Sequence, residues 1–130
     1  MLRRNLLLGV AGVAVLGVTG CATHPVSVQQ ATELPAAHLR TCIKRAAHRR
    51  GWRVVTDEPG KMRIKYVKGP HVLVADVTYD NEGYMIEAVK EGSTLFNKDG
   101  TAHRKVNSWT ANLTVTIREE ENKILLRQTN

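Results

Sequence analysis

The 130-residue chain holds two cysteines, five histidines and 12 acidic side chains, and any reaction chemistry would have to be built from these groups. A nucleophilic cysteine needs a base within reach and an environment that favours the thiolate. Cys42 instead shares the spacing of Leu39, Ile43, Ala46 and Ala47, where a thiol behaves as a small inert hydrophobe. Its alternative use is pairing between molecules in an oxidising compartment. His24, His38, His48, His71 and His103 do not pair with one another, with cysteine or with carboxylate at the spacing of a local ligand set. No metal and no other cofactor is therefore expected. Asp76 and Glu87 would face each other across paired strands, on the side that also carries Arg53, Arg63 and Lys65. Cross-strand ion pairs account for these charges without acid–base catalysis. Neither a glycine-rich phosphate loop nor a serine-hydrolase elbow is present. An enzyme is not expected, and a small hydrolase is the remote alternative.

A different chemistry stands at the amino end. Arg3 and Arg4 precede an almost wholly apolar run over residues 6–18, and Val18-Thr19-Gly20-Cys21 follows. A basic start, a short apolar run and small residues make a secretory signal, and the run is shorter than the ~20 apolar residues of a membrane-spanning helix. Val-Thr-Gly-Cys resembles the lipobox of bacterial lipoproteins. The resemblance implies cleavage before Cys21, diacylation of its thiol and, as a rule, acylation of the new amino terminus. Chains worth ~0.8 kcal/mol per buried CH₂ then hold the protein to a membrane. Ala22 stands where an Asp commonly retains such proteins in the inner membrane, so the implied place is the periplasmic side of the outer membrane. Arg3-Arg4-Asn5-Leu6-Leu7 also resembles a twin-arginine export signal, and serves equally as an ordinary positive start.

Composition agrees with one small folded unit: 42% hydrophobic, 24% charged, net charge +7. A multidomain enzyme, a channel and a zinc ribbon are excluded. Loss of residues 1–20 removes two of the 19 basic side chains and leaves a surplus of about five over the acidic ones. That surplus suits nucleic acid, but an export signal contradicts a nucleic-acid role. Residues 21–33 are polar and without apolar periodicity, which reads as a lipidated cysteine and a flexible tether; the twelve from 22 to 33 would reach about 40 Å when extended. Residues 34–130 read as a single domain.

Within it, residues 35–50 have helical spacing, with Pro35 in the first turn and Gly51 at the stop. Four alternating runs follow, over residues 52–56, 61–68, 71–79 and 84–90, with turn residues between them. Residues 93–102 read as a loop, with a short strand at Leu95 and Phe96 as an option. Val106, Trp109, Leu113, Ile117 and Ile124 then repeat at helical spacing, although residues 113–117 also alternate like a strand. The expected fold is a two-layer α+β domain, α-β-β-β-β-α. In it a four-stranded antiparallel meander carries the amino- and carboxy-terminal helices on one face. Trp52, Val54, Met62, Ile64, Tyr66, Leu73, Ala75, Val77, Tyr84 and Ile86 should face those helices.

Two surfaces are candidate binding sites. Val55, Val72, Val74, Met85 and Val89 have the parity of the outer sheet face, an apolar patch fit for a protein partner or self-association, unless residues 93–102 cover it. Arg40, Lys44, Arg45, Arg49 and Arg50 form a basic helix face suited to anionic lipid, lipopolysaccharide or cell-wall groups. Basic residues in a last helical turn also complement the helix dipole. The expected function is that of a non-enzymatic binding or accessory module of an envelope protein complex. The alternative is electrostatic binding of anionic envelope components.

Gly51-Trp52 and the string His103-Arg104-Lys105-Val106-Asn107-Ser108-Trp109-Thr110-Ala111-Asn112-Leu113 resemble a group of small proteobacterial lipoproteins. There a related His-Arg-x-x-Asn-x-Trp-x-x-Asn-Leu string opens the last helix, often with an aromatic residue where Val106 stands. The resemblance implies a helix from Val106 onward and no catalytic residue. Arg104, Asn107 and Asn112 would satisfy carbonyls of the loop before the string, or else form a small polar recognition pocket.

Overall fold

The computed structural model describes residues 22–128; the expected signal peptide and the lipobox Cys21 lie outside the described residues. The elements run β1 (Ala22–Thr23), β2 (Val28–Ala31), α1 (Ala36–Arg49), β3 (Arg53–Glu58), β4 (Lys61–Lys68), β5 (His71–Tyr79), β6 (Gly83–Val89), β7 (Ala102–His103) and α2 (Lys105–Gln128). The main sheet is antiparallel with strand order β2-β6-β5-β4-β3, and β1 pairs separately with β7. Both helices lie on one sheet face, so the α+β class is as the patterning predicts. The strand number is not: the sheet has five strands where four were expected.

The periodic positions fold as their spacing requires. Leu39, Cys42, Ile43, Ala46 and Ala47 are the buried residues of α1. Leu39, Ile43, Ala46 and Ala47 meet Met62 and Ile64 of β4, Leu73, Ala75 and Val77 of β5, Tyr84 and Ile86 of β6, and Val106, Leu113 and Ile117 of α2 in one core. The β-branched stretch of α2 is helical, and its buried threonine hydroxyls are satisfied inside the helix. Thr110, Thr114 and Thr116 are buried, and their hydroxyls donate to the carbonyls of Val106, Thr110 and Asn112.

The fifth strand comes from the stretch expected to be a tether. Val28 to Ala31 pairs antiparallel with β6, Val28 opposite Ile86 and Ala31 opposite Gly83. The chain stays docked after the strand: Thr32 N–H donates to the Glu82 carbonyl, and Ala36 N–H to the Asn81 side chain. Thr32 Oγ1 donates to Glu121 of α2, and Leu34 is 1% exposed. Four residues on a sheet edge, two of them glutamine, need only backbone hydrogen bonds and one covered side, so they leave no apolar period to read.

Gly83 makes this pairing possible. A Cβ built there would lie 2.2 Å from the Gln30 carbonyl oxygen and 3.1 Å from Ala31 Cα. Both are backbone atoms that cannot swing aside. Gly83→Ala should therefore displace β2 and lower stability by about 1–3 kcal/mol, the usual range for overpacking. A fall in the urea midpoint, with new proteolytic cleavage within residues 24–33, would register it.

Candidate functional site

Of the outer-face residues, Val55 is 50% exposed, at a register shift between Val54 and Thr56. Val72, Met85 and Val89 are half-buried. Val74 is only 7% exposed, which corrects its expected place on an open patch. The chain beyond β6 continues beside β5 and covers it: Val74 N–H donates to Ser93 Oγ, Ser93 Oγ–H donates to the Val89 carbonyl, and Thr94 N–H donates to the Val72 carbonyl. Gly92 lies so close that a Cβ on it would be 3.2 Å from Val74 Cγ2.

A charged row further divides the patch. Arg63, Asp76 and Glu87 are cross-strand neighbours, with Lys65, Val74 and Val89 in the next row on their side and Lys61, Thr78 and Met85 on the other. Arg63 donates to both Asp76 oxygens at 2.7 and 3.0 Å. This pairing, opposed by burial and aided by Lys61, holds the Asp76 carboxyl below the usual carboxylate range. The expected Asp76–Glu87 juxtaposition is present, but a carboxylate held ionised has no proton to deliver at neutral pH.

The basic helix face is largely spent on packing. Arg40 and Lys44 both reach Asp57 of β3, with Arg40 Nε donating to Asp57 Oδ1 at 3.1 Å. Arg49 bridges Glu119 and Glu120 of α2 at 2.9 and 2.8 Å, and Arg50 Nε donates to Thr116 Oγ1 at 2.7 Å. Of the five arginines and lysines on this face, Arg45 has no hydrogen bond or ion pair to another described residue. It joins Lys44, His48 and Arg49 from α1, and Glu120, Lys123 and Arg127 from α2, around a groove of about 410 Å³.

The hydrogen bonds and charge of Arg40 and Lys44 hold the Asp57 carboxyl below its usual range against the pull of burial. Burial pushes Glu120 up, but hydrogen bonds from Lys123 and Arg49 outweigh it and the net shift is downward. Burial pushes the Cys42 thiol up to about 11, and Glu121 and Glu120 push the same way.

A third constellation escaped the sequence reading. Trp52, Tyr66, Trp109, His71 and His103 meet in a chain of ring contacts at one end of the domain, with centroids 5.3, 4.8, 6.4 and 6.0 Å apart. Lys105 Nζ lies 5.8 Å from the centre of a Trp109 ring. Both histidines are half-buried ring partners rather than plain surface groups. The available signal was weak: Trp52 and Trp109 are the only tryptophans, and their convergence depends on where two distant helix ends fall. Asn107 also differs from expectation. It binds the chain's first described residues instead of the preceding loop, accepting from Val26 N–H at 2.9 Å and donating to the His24 carbonyl at 3.0 Å.

Among the described residues no group of three or more His, Cys, Asp and Glu side chains is placed to hold a metal, and no helix is long and apolar enough to cross a membrane. Comparison with family models, with curated proteins and with solved structures finds no match for this chain.

Two expected outcomes follow from these environments. With a thiol pushed up to about 11, Cys42 should resist alkylation at neutral pH in the native protein and react once denaturant is added; mass spectrometry separates the two states. Lowered carboxylate pKa values give stability that is complete above the unfolded value near pH 4 and disappears as pH falls through the folded value. Glu120→Gln should thus lower the urea midpoint at neutral pH and narrow the difference between neutral pH and pH below about 4.

Proposed function

We propose that the protein is a lipoprotein of the bacterial envelope, anchored by acyl chains on Cys21 to the periplasmic side of the outer membrane. It works there by binding, as an accessory module of an envelope protein complex. One observation carries the reading. Ala22, the residue bonded to Cys21, is paired with His103, and Asn107 of the same string grips the next few residues. The described residues that follow the lipobox in the chain are thus held by the His-Arg-x-x-Asn-x-Trp string, although about 80 residues separate them. A string whose Asn holds the segment next to the anchor, and whose Val106 and Leu113 enter the core, has a reason to accompany a lipobox.

The proposed protein partner would meet the outer sheet face around Val55, which is 50% exposed, rather than Val74, which is 7% exposed. Val55 is the most exposed apolar residue of that face's original five, and the Arg63–Asp76 pair beside the remaining valines supplies polar complementarity. A second reading, binding of anionic envelope groups, is favoured by the groove around Arg45, His48 and Arg127.

Palmitate labelling tests the anchor: wild-type protein should carry label and pellet with outer membranes, and Cys21→Ser should do neither. A photo-reactive residue at Val55 in intact cells tests the partner surface, with a discrete protein adduct expected. Adducts found only at a second probe on Arg45, bearing lipid or glycan, would transfer the function to the groove.

A further inference from the structure

We infer that the end of the domain where the chain enters is a docking face for anionic lipid headgroups, so that the domain lies against the membrane instead of standing off it. The inference rests on the anchor reading above and adds the surface that meets the bilayer. Its starting point is the loss of the tether. Ala22 and Thr23 are laddered to His103 and Ala102, and Asn107 holds His24 and Val26. An acyl chain on Cys21 is then one peptide unit, about 3.8 Å between Cα atoms, from ordered structure. The extended tether would have allowed about 40 Å.

The charge at this end fits such a neighbour. Lys68 closes β4, Lys98 lies in the loop that folds back on β7 through the Phe96–Ala102 bridge, and Arg104 and Lys105 open α2. None of these four cations has an ion pair among the described residues. Arg40, Lys44, Arg49, Lys61, Arg63 and Lys123 all have one, while Arg45, Arg50, Arg53, Lys65, Lys90, Arg118 and Arg127 have none; what sets the four apart is that they gather where the chain enters. Asp99, next to Lys98, is the one acidic side chain in that loop, and its carboxylate accepts from Thr101 N–H and Oγ1, leaving the cations in excess at this end.

Helix stability does not explain the arrangement. Cations at a helix N-terminus oppose its dipole, yet α2 begins at Lys105, directly after Arg104, and has no acidic residue in its first turn. A negatively charged surface outside the molecule would relieve that opposition. The aromatic contacts suit the same depth: Trp109 and Tyr66 are half-buried, with Lys105 over the indole. Amphipathic rings flanked by lysine and arginine are the usual chemistry of the headgroup layer.

The test uses the full lipidated chain in vesicles of phosphatidylethanolamine with and without phosphatidylglycerol. Spin labels are placed on Lys98→Cys and, as a control, on Glu58→Cys. Glu58 lies at the β3–β4 turn, and β4 runs about 23 Å from there to Lys68. Docking predicts that a water-soluble nickel relaxant reaches position 98 several-fold less often than position 58 on phosphatidylglycerol vesicles. The difference should vanish in the Arg104→Glu, Lys105→Glu double variant, whose acids favour the N-terminus of α2 and so keep the helix. Equal access at both positions, with acyl chains confirmed on Cys21 by mass spectrometry, overturns the docking and leaves the anchor. Shielding that ignores both phosphatidylglycerol and the charge reversal overturns the anionic-lipid assignment. Absence of acyl chains on Cys21 overturns the anchor reading and the inference together.

Discussion

A single antiparallel sheet with one apolar face sets the terms for everything else in this fold. Five strands at about 4.8 Å spacing make a sheet about 19 Å across, and two helices packed side by side at 8–10 Å cover about that width. One helix would leave half of the face wet, so α1 and α2 must lie next to each other. Their contact decides which polar groups are buried. Glu120 goes under α1 because it sits on the covered side of α2, and Arg49 and Lys123 must then meet it. A buried carboxylate without such partners would carry a large desolvation cost.

That requirement sorts the basic side chains. Those of α1 that face α2 or β3 find Glu119, Glu120 or Asp57 and serve the packing of layers. Cations without an ion pair among the described residues include Arg45 and Arg127 at the groove, Lys68, Lys98, Arg104 and Lys105 at the chain-entry end, and Arg53, Lys65, Lys90 and Arg118 elsewhere. Net charge alone points to anionic partners; the distribution of ion pairs narrows where such partners would be met. The outer sheet face, with its Arg63–Asp76 pair and a covered Val74, is a mixed polar surface rather than an apolar one.

The chain's entry links this distribution to the membrane reading. A segment without apolar periodicity is ordinarily a linker, but here backbone pairing, Asn107 and Glu121 hold it at three separate places. Each is a polar contact made to a segment that contributes little apolar surface. Such contacts fix position more than they add stability, since exposed hydrogen bonds contribute modestly in net terms. On the proposed lipoprotein reading, a fixed entry would pass the orientation of the domain on to the bilayer.

The helices, the four long strands and most of their core-facing residues were legible in the sequence, because burial of a helix or strand face imposes a local period of 3.6 or 2, whereas Leu95 and Ala102 of the expected loop also enter the core. Leu39 through Ala47 and Met62 through Ile86 carry that period in full. The edge strand at Val28 was not legible, since pairing on one side through the backbone asks little of its side chains and depends on the space that Gly83 leaves. Nor were the partners of Arg40, Arg49 and Arg50, the meeting of Trp52 with Tyr66 and Trp109, or the grip of Asn107 on residues 24–26. These contacts join residues that are distant along the chain or belong to different elements. A periodic pattern states which way a side chain points, and only the assembled layers decide what it points at.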